Sequence, residues 1–419
     1  MLIYRGPNSP GNIIRSDGAG YFVYLPAYVI YHDPTLRAVA ADVRNSEPKL
    51  ADLGKGLRRD PHTGNYLNRY GMGEAVMMLP FFVVGHVLAL IRYGHSDGYT
   101  RIEQAAAAIS GLFYLCAGVW VLRRLLLRYF SAGVTLATLV SIVFGTSLFH
   151  FGTYDAAFSH VYSFFLVSLV VLLTPRLYEP VMRNPRLILL GVALGMVVLV
   201  RNPNALVLLA VGLWGVSSRS DLRRRVQFVR RNPARFAALA AIAALIFLPQ
   251  MYAWHVETGK WLVFSYQGDP GVGFHWLTPA FPDVLTSFGP HGLLPWAPIL
   301  IFAFLGFFPL RRHYPEMFTG SIVVVLFATY LISSWYTWFY GGGFGHRAFV
   351  DFSVFFALPL AAFFEWARGA LRGAVSVLAA QFVAATTLQM VHYWQHLIPF
   401  EGMPATDYFQ VLFASRPWP

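Results

Sequence analysis

The stretch Arg219-Ser220-Asp221-Leu222-Arg223-Arg224-Arg225-Val226-Gln227-Phe228-Val229-Arg230-Arg231-Asn232-Pro233-Ala234-Arg235 decides how this chain is laid out. It carries seven arginines between two apolar runs, 204–217 and 236–254. A short, arginine-rich connector between membrane-length runs stays on the cytoplasmic side. Working outward by alternation, the other inner connectors hold Arg123, Arg124 and Arg128; Arg176, Arg183 and Arg186; Arg311 and Arg312; and Arg368 and Arg372. Outer connectors hold only Arg201, Lys260 and Arg347, with Arg416 in the tail.

That alternation links ten apolar runs at 104–122, 132–152, 157–174, 187–200, 204–217, 236–254, 292–310, 316–334, 351–367 and 374–393. Most approach the roughly 20 residues that cross a hydrocarbon core, and the fourth and fifth are short. The chain is 56% hydrophobic and only 12% charged, against about 25% charged in a soluble domain. An all-α polytopic membrane protein of about ten transmembrane helices plus outer juxtamembrane helices follows. The net charge of +12 sits largely in inner connectors, so it gives no sign of a nucleic-acid partner. Cys116 is the single cysteine, which excludes an intramolecular disulfide and a cysteine metal cluster.

The same register divides the chain into an extracytoplasmic first loop (1–103), a transmembrane domain (104–393) and an extracytoplasmic tail (394–419). The run Gly73 to Ile91 is expected to lie in the outer interface rather than span, because it carries Glu74, Pro80 and His86, and a full crossing would move the segment before it inside. Met1 to Pro10 is polar and is not a signal peptide. A polar outer segment of this length needs help to cross, so the expectation is a missing first helix.

The candidate chemistry gathers on the outer side. Ser16-Asp17-Gly18-Ala19-Gly20-Tyr21-Phe22-Val23-Tyr24-Leu25-Pro26 places a carboxylate at the edge of an aromatic segment. Asp155 and His160 sit in a connector so short that both lie at the membrane surface, where Asp155 either caps the next helix or acts chemically. Arg201, in Val200-Arg201-Asn202-Pro203-Asn204, runs against the inside bias, and a guanidinium matches phosphate oxygens. Trp335 to Asp351 reads WYTWFYGGGFGHRAFVD, with glycines that let backbone approach a ligand and with His346, Arg347 and Asp351. The i, i+4 spacing lets Asp351 pair with Arg347 on one helical face. The connector from His255 to His291 adds Tyr266 within Phe264 to Trp276. His392 and His396 share i, i+4 spacing but have no acidic third ligand nearby, so no metal site is expected.

Asp17, then Tyr70-Gly71-Met72-Gly73-Glu74 leading to Leu79-Pro80-Phe81-Phe82, the span ending at Arg123-Arg124, Val200-Arg201-Asn202-Pro203-Asn204 and the glycine-rich loop with Arg347 together resemble the GT-C superfamily of membrane glycosyltransferases. The likeness is strongest to the bacterial branch similar to protein O-mannosyltransferases and the lipid A aminoarabinose transferase. It implies that Asp17 is the general base and that Arg201 stands by a donor phosphate. It also implies inverting transfer of a hexose or pentose from a polyprenyl-phosphate donor to an acceptor hydroxyl on a lipid, glycan or protein. The site would face the periplasm from a bacterial inner membrane. No cofactor is implied, and a divalent cation is not required. Two departures are visible: no helix precedes Asp17, and Gly18 follows it where many relatives carry a second acidic residue. The candidates are therefore Asp17 and Asp155 as catalytic carboxylates. Tyr21, Tyr70, Glu74, His160, Arg201, Asn202, Tyr266, His346, Arg347 and Asp351 are the substrate-binding candidates. The competing readings are a polymerase or ligase of polyprenyl-linked glycans, which would carry its arginines in a large outer loop, and a transporter or flippase, which would carry polar residues in mid-span.

Overall fold

A computed structural model describes residues 13–45, 56–266, 271–289, 291–367, 369–400 and 403–412. Met1 to Pro10, Gln267 to Pro270 and Arg416, all drawn on above, lie outside the described residues.

The N-terminal part is built from short elements. These are α1 (Asp17–Phe22), α2 (Tyr24–Val29) and α3 (Arg37–Asn45), then an antiparallel pair, β1 (Leu57–Arg59) with β2 (Tyr66–Asn68), in which Leu57 lies opposite Asn68. Long helices follow: α4 (Gly73–Tyr93), α5 (Arg101–Leu126), α6 (Ala132–Phe144), the short α7 (Leu148–Thr153), α8 (Ser159–Leu177) and α9 (Asn184–Val200). A 3-10 turn, Asn202–Leu206, leads into α10 (Val207–Leu213), then come α11 (Arg219–Arg231) and α12 (Pro233–Thr258). After α13 (Phe281–Thr286) and α14 (Leu293–Trp296) stand α15 (Leu300–His313) and α16 (Pro315–Ser334). A second 3-10 turn, Arg347–Phe352, opens α17 (Ser353–Trp366), followed by α18 (Ala370–Trp394) and α19 (Ala405–Leu412).

Local sequence marks the helix ends. Thr100 and Glu103 form a reciprocal capping box at the start of α5. Prolines occupy the first turn of α9, α12 and α16, where the missing N–H costs no helical bond. Gly94 and Gly259 close α4 and α12 in the left-handed conformation.

Each of the ten apolar runs read from the sequence falls largely on helix, with breaks at 145–147 and 297–299 and an end at Leu213 in the fifth. Among the described residues, seven helices are long and apolar enough to cross a membrane, and three shorter apolar helices, Ala132–Phe144, Asn184–Val200 and Asn202–Leu213, accompany them. The chain is a multi-pass membrane protein. Arginine clusters and candidate site residues lie at opposite ends of the same helices: Arg176 against His160 on α8, and Arg183 and Arg186 against Arg201 at the two ends of α9.

Gly73–Ile91 falls within one continuous helix, α4. α4 runs unbroken through Pro80 for 21 residues, and its length and apolarity are those of a spanning helix. The face of α4 turned away from the protein is Val76, Val83, Val84, Val87, Leu88 and Ile91, all exposed. Its polar groups turn inward, with His86 Nδ1 lying 2.6 Å from Glu103 Oε1 on α5. Its first turn meets the site end of α9, where a Cβ on Gly73 would lie 2.5 Å from the Val200 nitrogen.

The centre of the bundle is α17, buried from Ser353 to Phe364 and packed between α15, α6 and α16. The α15–α17 contact is so close that a Cβ on Gly306 would stand 1.9 Å from the Pro359 carbonyl oxygen. Gly306→Val must push these helices apart, a destabilisation of about 1–3 kcal/mol. Thermal unfolding of detergent-purified protein is expected to show it as a lowered midpoint. Gly212→Ala on α10, where a Cβ meets open space, is expected to leave the midpoint unchanged.

Candidate active site

The site is assembled where the short N-terminal helices meet the N-terminal ends of α8 and α17 and the C-terminal end of α9. Asp17 opens α1 and stays partly open to solvent. Its Oδ1 accepts a hydrogen bond from the Tyr70 hydroxyl at 2.9 Å, and its Oδ2 lies 2.9 Å from Arg347 Nη1. Burial acts to raise the Asp17 carboxyl. The Arg347 guanidinium, with help from Tyr70, outweighs it and holds the group below its usual range.

Tyr70 reaches Asp17 because Gly20 leaves room: a Cβ there would lie 2.1 Å from the Tyr70 ring. Tyr21 packs against the same ring at 4.9 Å between centroids and donates to Ser159 Oγ at 3.0 Å.

A second cluster sits beside the first. Asp351 Oδ2 lies 3.0 Å from Arg201 Nη1, and Asp351 Oδ1 lies 2.8 Å from His160 Nδ1. Arg201 Nη1 is also 2.8 Å from His160 Nδ1. A carboxylate only accepts, so the assignment that satisfies all three groups has Nδ1–H donating to Asp351 while Arg201 donates to the other carboxylate oxygen. The two clusters are electrostatically joined, since Arg201 and His160 both act on Asp17. Tyr340 links the arginines from behind: its carbonyl accepts from Arg347 Nη2, and its ring lies 5.7 Å from the Arg201 guanidinium.

The expected pairing of Arg347 with Asp351 does not form. Residues Arg347–Phe352 are a 3-10 turn, and at about 3 residues per turn positions i and i+4 no longer share a face. Arg347 turns to Asp17, and Asp351 to Arg201 and His160. The glycine run acts mainly on the chain's own path. Gly341, Gly343 and Gly345 take positive φ, and Gly342 packs so tightly on Phe400 that a Cβ would stand 1.8 Å from its ring. The turn this makes delivers Arg347 to the site.

Other candidates fall at varied distances from these pairs. Glu74 is fully buried at the start of α4 within electrostatic reach of Asp17, Arg201 and Asp351, and neither carboxylate oxygen has a hydrogen-bond partner among the described residues. Tyr266 borders the site from the outer loop, edge-on to Trp335 and beneath the Arg69 guanidinium. His346 is buried behind Arg347 against Phe349, and burial with neighbouring His291 pulls its imidazole down to about 3. Asn202 is turned outward, whereas Asn204 is buried and donates to Ser163 Oγ at 2.8 Å.

Asp155 belongs to a different network. Its Oδ1 faces Arg15 Nη2 at 3.1 Å, its Oδ2 faces His150 Nε2 at 3.0 Å, and Trp394 Nε1 donates to His150 Nδ1 at 3.0 Å. It does not cap α8 through its side chain, because the capping position is Phe158. With both oxygens engaged, Asp155 ties the segment before α1 to the end of α18, which is a structural task. Arg15, His150, Trp394 and Tyr340 carried no signal in the sequence, since each is a single residue in an unremarkable setting. His392 and His396 do not share a helix face: α18 ends at Trp394 and His396 takes φ 58°. Among the described residues no group of three or more His, Cys, Asp or Glu is placed to hold a metal ion.

No protein-family model matches the sequence, and no curated protein matches it. In structure the chain is similar to ArnT from Cupriavidus metallidurans in the apo state, with a TM-score of 0.51 and 16% identity over 91% of this chain and 60% of that one. It is similar to ArnT bound to undecaprenyl phosphate with a TM-score of 0.50 and 13% identity over 91% of this chain and 61% of that one. The archaeal oligosaccharyltransferase AglB from Archaeoglobus fulgidus, in complex with an inhibitory peptide and a dolichol-phosphate, gives a TM-score of 0.48 at 13% identity, over 98% of this chain and 53% of that one. The chain thus spans about three fifths of the length of the ArnT structures. At these identities the likeness is one of fold, an all-α polytopic membrane fold.

Proposed function

We propose that the protein is an inverting glycosyltransferase that moves a sugar from a polyprenyl-phosphate carrier to an acceptor hydroxyl at the extracytoplasmic face of the membrane. The observation that carries this reading is the pairing of a partly open carboxylate, Asp17, with one of two arginines that converge on the same buried spot. The fold supports it, as does the undecaprenyl phosphate held by a protein of similar fold.

In this reading the acceptor O–H gives its proton to Asp17 while the oxygen attacks the anomeric carbon. The bond from that carbon to the phosphate oxygen breaks on the opposite side, which inverts the centre, and polyprenyl phosphate leaves carrying the extra negative charge. Arg201 and Arg347 are held where fixed guanidinium groups stabilise that charge more in the transition state than in the ground state. A donor phosphate also competes with Asp17 for Arg347. As it draws the guanidinium away, the carboxylate loses the partner that depresses its basicity and becomes a better base.

Three outcomes are expected with purified protein and a radiolabelled polyprenyl-phosphate hexose. Asp17→Asn lowers turnover by about 10²–10⁴-fold and retains donor binding. Full turnover in that variant removes Asp17 from the mechanism. In the wild type the Arg347 guanidinium holds the Asp17 carboxyl below its usual range, so any acidic limb that this group gives kcat/KM lies below that of an ordinary carboxylate. Arg347→Gln removes the largest opposition to burial and moves the limb to higher pH. An unmoved profile contradicts the clamp. Asp155→Asn strands the Arg15 charge and costs about 3 kcal/mol of stability, read as a lowered unfolding midpoint, while donor affinity in the folded fraction is unchanged.

A further inference from the structure

We infer that α11, Arg219–Arg231, is an interfacial helix that lies on the membrane surface and binds the headgroups of anionic phospholipids. It joins α10 and α12, which belong to the apolar bundle, and no residue of it is buried. Its three faces are distinct. Arg225 and Phe228 face the protein: the Arg225 guanidinium lies on the Tyr178 ring and donates to the Trp214 carbonyl, and the Phe228 ring meets Tyr178 and Phe236. At 100° per residue the next strip round the helix is Leu222, Val226 and Val229, with Leu222 and Val226 exposed. Beside it stand Arg219, Arg223 and Arg230, also exposed.

The arginines on this helix are not equivalent. Arg224 is paired with Asp221, and Arg225 is committed to the protein. Arg219, Arg223 and Arg230 have no ion pair among the described residues, although Arg15, Arg201 and Arg347 are each paired with a carboxylate. An apolar strip edged by unpaired cations is the arrangement that sinks aliphatic side chains to the acyl boundary and leaves guanidinium groups at phosphate depth. The occupant follows from continuity and charge. Both ends of α11 lead into apolar helices, so the nearest surface is the bilayer itself, and the unpaired charges are all positive. The attraction is worth about a fivefold preference per basic residue for an anionic over a neutral surface.

The test uses the full chain with Cys116→Ser, which removes the single native cysteine, and Leu222→Cys carrying a nitroxide label. It is reconstituted in vesicles of phosphatidylcholine alone or mixed with phosphatidylglycerol. The expected result is that the label collides with oxygen more than with a water-soluble nickel chelate, and more so in the anionic vesicles. The variant Arg219→Gln/Arg223→Gln/Arg230→Gln on the same background is expected to lose the difference between compositions. A label open to the chelate in both compositions, as a helix awaiting a soluble partner would give, overturns the inference. Oxygen-favoured collisions that ignore phosphatidylglycerol overturn its headgroup part. A second readout avoids the label: phosphatidylglycerol added to detergent-purified wild type is expected to raise the unfolding midpoint above that with phosphatidylcholine, and the triple variant is expected to show no such gap. An equal gap in both proteins counts against the inference.

Discussion

The structure at the site end of the bundle depends on neutralising buried charge. A carboxylate or guanidinium moved from water into a low-dielectric interior costs several kcal/mol unless it is paired and hydrogen-bonded. Asp351 is buried and satisfied only because Arg201 comes from the turn after α9 and His160 from the first turn of α8. Asp17 and Arg347 satisfy each other from the two ends of the chain. Removing either set would leave isolated charges, so α1, α8, the α9 turn and the α17 entry are held in one arrangement by electrostatics as much as by packing.

That arrangement carries backbone strain. Ser16 and Tyr340, the residues that launch Asp17 and anchor Arg347, both take positive φ without being glycine. Such conformations cost about 1–3 kcal/mol each and persist where surrounding structure over-determines them. Here each lies one step from an ion pair. The strain is maintained by the same pairs that make the site, which links the local geometry of the chain to the chemistry proposed for it.

Much of this was legible in one dimension. Apolar run lengths and the arginine bias indicated the helices and the end at which polar groups gather, because both signals are sums over many residues. Asp17, Arg201, Arg347 and Asp351 could be singled out because each is an ionisable group at an apolar boundary. Who pairs with whom could not be read. The Arg347–Asp351 expectation assumed an α-helical turn, and a 3-10 turn rotated the two side chains apart. Asn202 and Asn204 look alike in sequence, and only packing turns one out and the other in. Nor could the sequence show that His86 of α4 would meet Glu103 of α5.

The sequence by itself determined the membrane class, the helical runs, the arginine-rich ends and the set of ionisable residues at apolar boundaries, since hydropathy and charge act locally. Only the tertiary structure decided that Asp17 meets Arg347, that Arg201 and His160 share Asp351, and that Asp155 is a strut with Arg15 and His150. Apart from the local His150–Asp155 contact, those choices join residues far apart in the chain, 140 positions for Arg15 with Asp155 and 191 for His160 with Asp351, and no local pattern specifies contacts formed by the packing of separate helices.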